Sequence, residues 1–250
     1  TTTSAPQPRT ATHQFAAGTW LTGVPLSPVD PQADLVFGTS RVARWNADSQ
    51  SYAYFTGGAF DVSPGTGYWV RYDAPHSMNL QGFAPSSPLT LDVMSDWNLL
   101  SNPGAASLPW GQVASTGRFQ PFGWVQKDDG SGYELVTTLN LSNAKREIAA
   151  WKGFWFRALE EGTVTLGSVA PAGAVADVPA VDWAVQLAAT AGAAADTANY
   201  IGVSQGAATV GANPPASGAG YVDLYCVDAS GARNAVALQA AGGTLAWNLV

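Results

Sequence analysis

The chain spells a similar text twice, and that repetition limits what it can fold into more than any other feature. One stretch runs Trp20-Leu21-Thr22-Gly23-Val24-Pro25, Val42-Ala43-Arg44-Trp45, Tyr52-Ala53-Tyr54-Phe55 and Gly67-Tyr68-Trp69-Val70-Arg71. The other runs Trp97-Asn98-Leu99-Leu100-Ser101-Asn102, Phe122-Gly123-Trp124-Val125, Tyr133-Glu134-Leu135-Val136 and Gly153-Phe154-Trp155-Phe156-Arg157. The spacing between copies grows from 77 at Trp20/Trp97 through 81 at Tyr52/Tyr133 to 86 at Gly67/Gly153, as loop insertions between shared strands would produce. The runs are short, aromatic or β-branched, and bounded by turn chemistry such as Ser63-Pro64-Gly65-Thr66-Gly67 and Lys127-Asp128-Asp129-Gly130-Ser131-Gly132. Such runs predict strands, with a hairpin between Trp124 and Tyr133.

The expected architecture is all-β: an extended N-terminal arm over 1–17, one small β module over 18–92, its duplicate over 93–170, and an Ig-like β-sandwich over 171–250 that begins with a linker of small residues. In the last segment Trp183 to Ala188, Tyr221 to Tyr225 and Ala235 to Gln239 alternate. The Ala-rich stretch from 188 to 198 is not read as a helix, because Thr190, Gly192, Asp196 and Thr197 interrupt it and no bulky stripe survives. Leu245 to Val250 predicts a closing strand. Only Ser142 to Ala150 has helix-like composition, with Ser142 as its N-cap.

Composition excludes whole classes of function. The 250 residues carry 18 acidic and 11 basic side chains, for a net charge of -7, so the basic footprint that nucleic acid requires is missing. Two histidines and one cysteine leave no His/Cys zinc set and no disulfide framework. Cys226, on an alternating run, reads as a small buried hydrophobe. No stretch approaches about 18 consecutive apolar residues, so no membrane span is expected. Only 12% of residues are charged. That figure, with the Thr-rich start lacking Met, predicts an extracellular or cell-surface protein whose signal peptide has been removed.

Three chemistries were weighed from residue types. Gly202-Val203-Ser204-Gln205-Gly206 fits the hydrolase pattern G-x-S-x-G, yet no helix-like segment follows and no histidine lies beyond His76. Asp128-Asp129 and Glu160-Glu161 sit in turns and read as solvated charge rather than a glycosidase pair. Asp196, Asn199 and Asp223 offer oxygens for calcium, but too few for its six to eight ligands. The expectation is therefore no catalytic residue, no metal and no cofactor.

Ten tryptophans are the remaining anomaly. Trp20/Trp97, Trp45/Trp124 and Trp69/Trp155 are read as matched core anchors. Trp110 and Trp151 have no counterpart and are the candidates for an exposed glycan platform. Residues 1–16 hold a single large apolar side chain, so they cannot build a core and are ordered only where docked. Thr10, Ala11, Thr12, His13, Gln14 and Phe15 are accordingly predicted to add as a strand to the next copy of the chain, making a homopolymer. A carbohydrate-binding or adhesion module is the alternative.

The repeated text resembles tandem Trp-rich β modules of secreted and surface bacterial proteins, with a W-N-L-type opening at Trp20 to Pro25 and Trp97 to Asn102, a central W…Y hairpin, and a closing P-G-x-G-Y-W-V at Pro64 to Val70. The second copy departs at its closure, where Ala150-Trp151-Lys152-Gly153 stands in place of the Pro-Gly. Trp183 to Leu187, Asp196 to Val203 and Trp247 to Leu249 are similar to the β-sandwich that follows in such proteins. The resemblance implies location and architecture rather than an activity.

Overall fold

A computed structural model describes residues 7–57, 60–167, 180–192, 194–205, 208–215, 222–242 and 246–250. The protein is built almost wholly from strands. The first group comprises β1 (Arg9–Phe15), β2 (Gly18–Thr22), β3 (Ser27–Pro28), β4 (Val42–Asn46), β5 (Ser51–Tyr54), β6 (Tyr68–Tyr72) and β7 (His76–Phe83), with one short helix, α1 (Ala33–Phe37). They form a four-stranded sheet in the order β2-β6-β4-β5 and a three-stranded sheet β1-β7-β3. The second group comprises β8 (Leu89–Val93), β9 (Asp96–Ser101), β10 (Leu108–Pro109), β11 (Val113–Ser115), β12 (Phe122–Gln126), β13 (Tyr133–Thr137), β14 (Glu147–Ile148), β15 (Gly153–Ala158) and β16 (Gly162–Leu166). Its main sheets have the orders β9-β15-β12-β13 and β8-β16-β11, the same as those of the first group.

This common order relocates the N-terminal segment. β1 pairs with β7 along seven residues, as β8 pairs with β16, and each precedes the first strand of its four-stranded sheet. Residues 9–15 are thus a strand within the first unit rather than a separate arm, and Phe15 is buried in that unit's core. The boundary near residue 92 also moves: β8 pairs with β16 and belongs to the second unit.

Register decides which tryptophans correspond. Thr22 faces Tyr68, and Leu100 faces Phe154. Tyr68 and Phe154 follow the matched glycines Gly67 and Gly153, so Thr22 corresponds to Leu100 and Trp20 to Asn98. Trp97 is one residue out of step with Trp20. A one-residue step turns a strand's side chains to the opposite face. Trp97 therefore joins Leu99 and Trp155 in one core, while Trp20 packs against the core of the first unit. Trp124 faces Trp155 as Ala43 faces Trp69, so Trp124 corresponds to Ala43 and Trp45 to Gln126. Only Trp69 and Trp155 occupy matching places.

Each unit buries a core between its two sheets, with Tyr68, Val70, Met78 and Leu80 in the first and Phe154, Phe156, Val164 and Leu166 in the second. A third core joins Leu21 and Trp69 of the first unit to Trp97, Trp124 and Trp155 of the second and to Ala198, Tyr200, Val236 and Leu238 of the C-terminal region. The seam between the units is reciprocal. Gly23 N–H donates to Trp151 O at 3.2 Å, and Ser101 N–H donates to Gly65 O at 2.8 Å. Trp45 Nε1–H donates to Trp97 O at 2.9 Å, and at the matching position Gln126 Nε2–H donates to Thr19 O, also at 2.9 Å.

Gly65 and Trp151 hold equivalent places on that seam, both with left-handed backbone (φ 84° and 64°). A side chain at Gly65 would strike Leu89 and Leu91 of β8. On the other side of the seam β1 offers only Ala11 and His13, and the indole of Trp151 stacks on His13. Glycine visits this backbone region freely, whereas tryptophan there stores about 1–3 kcal/mol of strain. The replaced Pro-Gly of the second copy therefore keeps the backbone and exchanges bulk across the seam.

The C-terminal region holds β17 (Val181–Ala191), β18 (Ala194–Ser204), β19 (Thr209–Gly211), β20 (Cys226–Val227), β21 (Arg233–Asn234), β22 (Val236–Ala240) and β23 (Asn248–Leu249). Their sheets are β17-β18-β22-β19 and β21-β20-β23. The β18–β22 pair is parallel, unlike the purely antiparallel pairing of an Ig-like sandwich. The Ala-rich stretch contributes to β17 and β18 rather than to a helix, and Cys226 is buried. The linker expected over 168–179 lies outside the described residues. No helix forms over 142–150; Asn143 takes a left-handed turn and Glu147–Ile148 pairs as β14 with β10. Arg146 donates to the carbonyls of Thr137 and Leu139, so this segment's polar groups serve a loop. No helix among the described residues is long and apolar enough to cross a membrane.

Candidate functional site

Where the two units meet the C-terminal sheet, the structure leaves a cleft of about 420 Å³. Trp20 of β2, Trp69 of β6, Trp124 of β12 and Tyr133 of β13 supply its aromatic lining, and Asp129, Asp196 and Asp223 supply carboxylates. Most of these rings are held in place. Trp20 Nε1–H donates to Ala16 O at 2.8 Å, and Gly130, left-handed at φ 74°, lies against the Trp20 ring where a Cβ would come within 3.7 Å. Tyr133 Oη accepts from Trp155 Nε1 at 3.0 Å and donates to Pro215 O at 3.2 Å. Gln126 ties the cleft wall across the seam, accepting Leu21 N–H at 2.6 Å. Trp69 and Trp124 are almost wholly covered, at 7% and 1% exposure, and the Nε1 atoms of both are buried.

The carboxylates are fixed by neutral donors. Asp129 accepts Ser131 N–H at 2.8 Å, and hydrogen bonds from Ser131 hold it below the usual carboxylate range. Asp196 accepts Leu224 N–H at 2.9 Å, and Asp223 accepts the Asn213 amide.

A second cleft of about 270 Å³ lies across Trp20, which lines both. His13, Phe15, Trp151, Lys152 and Asp128 line this side. Lys152 Nζ lies 2.7 Å from Asp128 and donates to Gln126 O at 3.1 Å. His13 stacks on Trp151 at 5.4 Å, and burial first, then the Lys152 charge, holds its pKa below 6.5. As pH falls through about 6.5, the unfolded chain takes up a proton that the folded strand resists, so stability is lost toward acid. The thermal midpoint should fall between about pH 7.5 and about pH 5, and fall less in His13→Gln. Equal falls in the two proteins would remove His13 from the account.

The residues singled out from the sequence fare unequally. Thr10 to Phe15 pair with Gln81, Leu80, Asn79, Met78, Ser77 and His76 of their own chain. Trp110 and Trp151 are 3% and 8% exposed and form no surface platform: Trp110 packs on Phe154 and donates to Pro121 O, while Trp151 covers the seam. Asp196 and Asp223 come together at the cleft, but no metal-holding group of His, Cys, Asp or Glu occurs among the described residues. Ser204 of the G-x-S-x-G run is fully buried in β18, and Gly206 lies outside the described residues. Of the cleft tryptophans expected as core anchors, Trp69 and Trp124 are buried in the shared core and Trp20 is half-buried beside the cleft. The signal that could have marked the site is the run Asp129-Gly130-Ser131-Gly132, a turn able to bring backbone and carboxylate against a ring. In comparisons with protein families, curated proteins and solved structures, the chain matches none.

Proposed function

We propose that this chain is a non-catalytic carbohydrate-binding module of an extracellular protein, and that its ligand lies in the larger cleft. The observation that carries the reading is the juxtaposition of the half-buried rings of Trp20 and Tyr133 with fixed carboxylates and amides in one concave site. Sugar rings present apolar C–H faces that stack on indoles, and a rim of hydroxyls that needs acceptors and donors at set positions. Pockets of this kind combine aromatic walls with a few oriented polar groups. The low charged fraction and the resemblance to surface modules support the location. A glycan array followed by calorimetry tests the proposal. Trp20→Ala should weaken the best ligand at least about tenfold, because it removes a half-buried ring that borders the cleft. An array without any bound glycan overturns it.

Assembly through the N-terminal strand remains a second reading, favoured by one observation. β1 has a free outer edge and is joined to β2 by only Ala16 and Ala17. Short hinges of this kind favour exchange of a strand between copies, with the pairing to β7 made in trans. Sedimentation of the intact chain at high concentration checks it: a strict monomer rules exchange out.

A further inference from the structure

The charge of the cleft narrows the ligand further. Its lining holds Asp129, Asp196 and Asp223 and contains no Lys, Arg or His among the described residues. None of the three carboxylates is neutralised by the bonds that fix it, since the donors are the backbone N–H of Ser131, Ala198 and Leu224 and the amide of Asn213. The nearby ammonium groups are committed or peripheral. Lys152 pairs with Asp128 on the far side of Trp20, and Lys127 contributes only a minor part of the field on Asp129. Indole and phenol faces also attract cations, and a concave site of one sign concentrates counter-charge.

We infer that the cleft binds an amino sugar with free ammonium groups, such as an oligomer of de-N-acetylated hexosamine, whose amines face the carboxylates while a sugar ring lies against Trp20 and Tyr133. This rests on the carbohydrate reading above and specifies its substrate class. Acidic sugars are disfavoured by the same charges, and N-acetylated ones lose the ionic attraction.

The test is calorimetry on the intact chain at about pH 6, where amines are protonated and carboxylates ionised. Glucosamine hexamer, N-acetylglucosamine hexamer and hexalysine are compared, the last because a net charge of -7 attracts any polycation. The amine oligomer should bind at least about tenfold tighter than the acetylated one. That preference should shrink several-fold between about 20 mM and about 500 mM salt. Asp129→Asn, whose amide oxygen still accepts from Ser131, should lower the preference by about threefold with an unchanged melting temperature. Trp20→Ala should weaken glucosamine hexamer several-fold more than hexalysine. Equal binding of the two sugars overturns the charge inference and leaves the carbohydrate reading standing. Hexalysine binding as tightly as glucosamine hexamer, and equally sensitive to Trp20→Ala, overturns the inference in favour of a general cation site. No binding of either sugar, together with an empty glycan array, overturns both.

Discussion

Trp155→Ala is expected to lower the free energy of unfolding by about 4 kcal/mol, near the top of the range for truncating a buried aromatic. The side chain is fully buried in the core shared by both units and the C-terminal sheet. Trp45 meets its ring edge-on at 5.2 Å, Trp97 at 6.1 Å and Tyr52 at 6.4 Å, so one deletion removes several aromatic contacts together. It also removes the donor to Tyr133, a residue of the cleft. Neighbours drawn from three regions and held on paired strands cannot all collapse into the vacated volume, which is why the cost should not relax toward the low end. Urea unfolding measures it, with the denaturant slope kept the same for both proteins. A loss below about 1.5 kcal/mol would mean that the three regions fold without relying on this core.

Removal of residues 1–15 is expected to cost more, enough to abolish cooperative folding of the first unit. The cut deletes the seven-residue pairing with β7 and the buried ring of Phe15, and it uncovers Met78 and Leu80. Phe15 alone is worth about 3 kcal/mol or more by truncation, and whole domains are stable by only about 5–15 kcal/mol. It also strips His13 from beneath Trp151, leaving a strained residue without its stack. Hydrogen exchange reports the outcome directly: amides of His76 to Phe83 should lose protection, while those of β12 and β15 in the second unit keep more of theirs. A truncated chain that melts within a few degrees of the intact one would show that β1 is an accessory.

The contrast between these two sites explains how much of the protein was legible. Strand character was local, written in short β-branched and aromatic runs, and the spacings at Tyr52/Tyr133 and Gly67/Gly153 agree with the observed registers. The tryptophan correspondences failed because identity of residue was taken for identity of position, whereas position on a strand is fixed by face and pairing. Trp45 and Gln126 share a place and a hydrogen-bonding task although they share no chemistry beyond an N–H donor. The pairing of the N-terminal strand with β7 was hidden for a related reason. Its inward residues Ala11 and His13 are small or polar because Trp151, far along the chain, supplies the missing bulk. The cleft was hidden because its walls come from residues more than a hundred positions apart, and no local pattern states which face of β2 or β12 will be left uncovered.

The reciprocal seam carries a consequence for how the halves stay together. Each unit gives the other a carbonyl at the position where it also receives one, Gly65 and Trp151 for Ser101 and Gly23. Contacts of that form are isologous, the kind that two separate identical subunits make about a two-fold axis. Joined on one chain by the few residues between β7 and β8, the partners meet at an effective concentration on the order of millimolar. An association too weak to persist between free subunits is then permanently closed, which lets the two sides of the seam differ, with a glycine at one equivalent place and a tryptophan at the other.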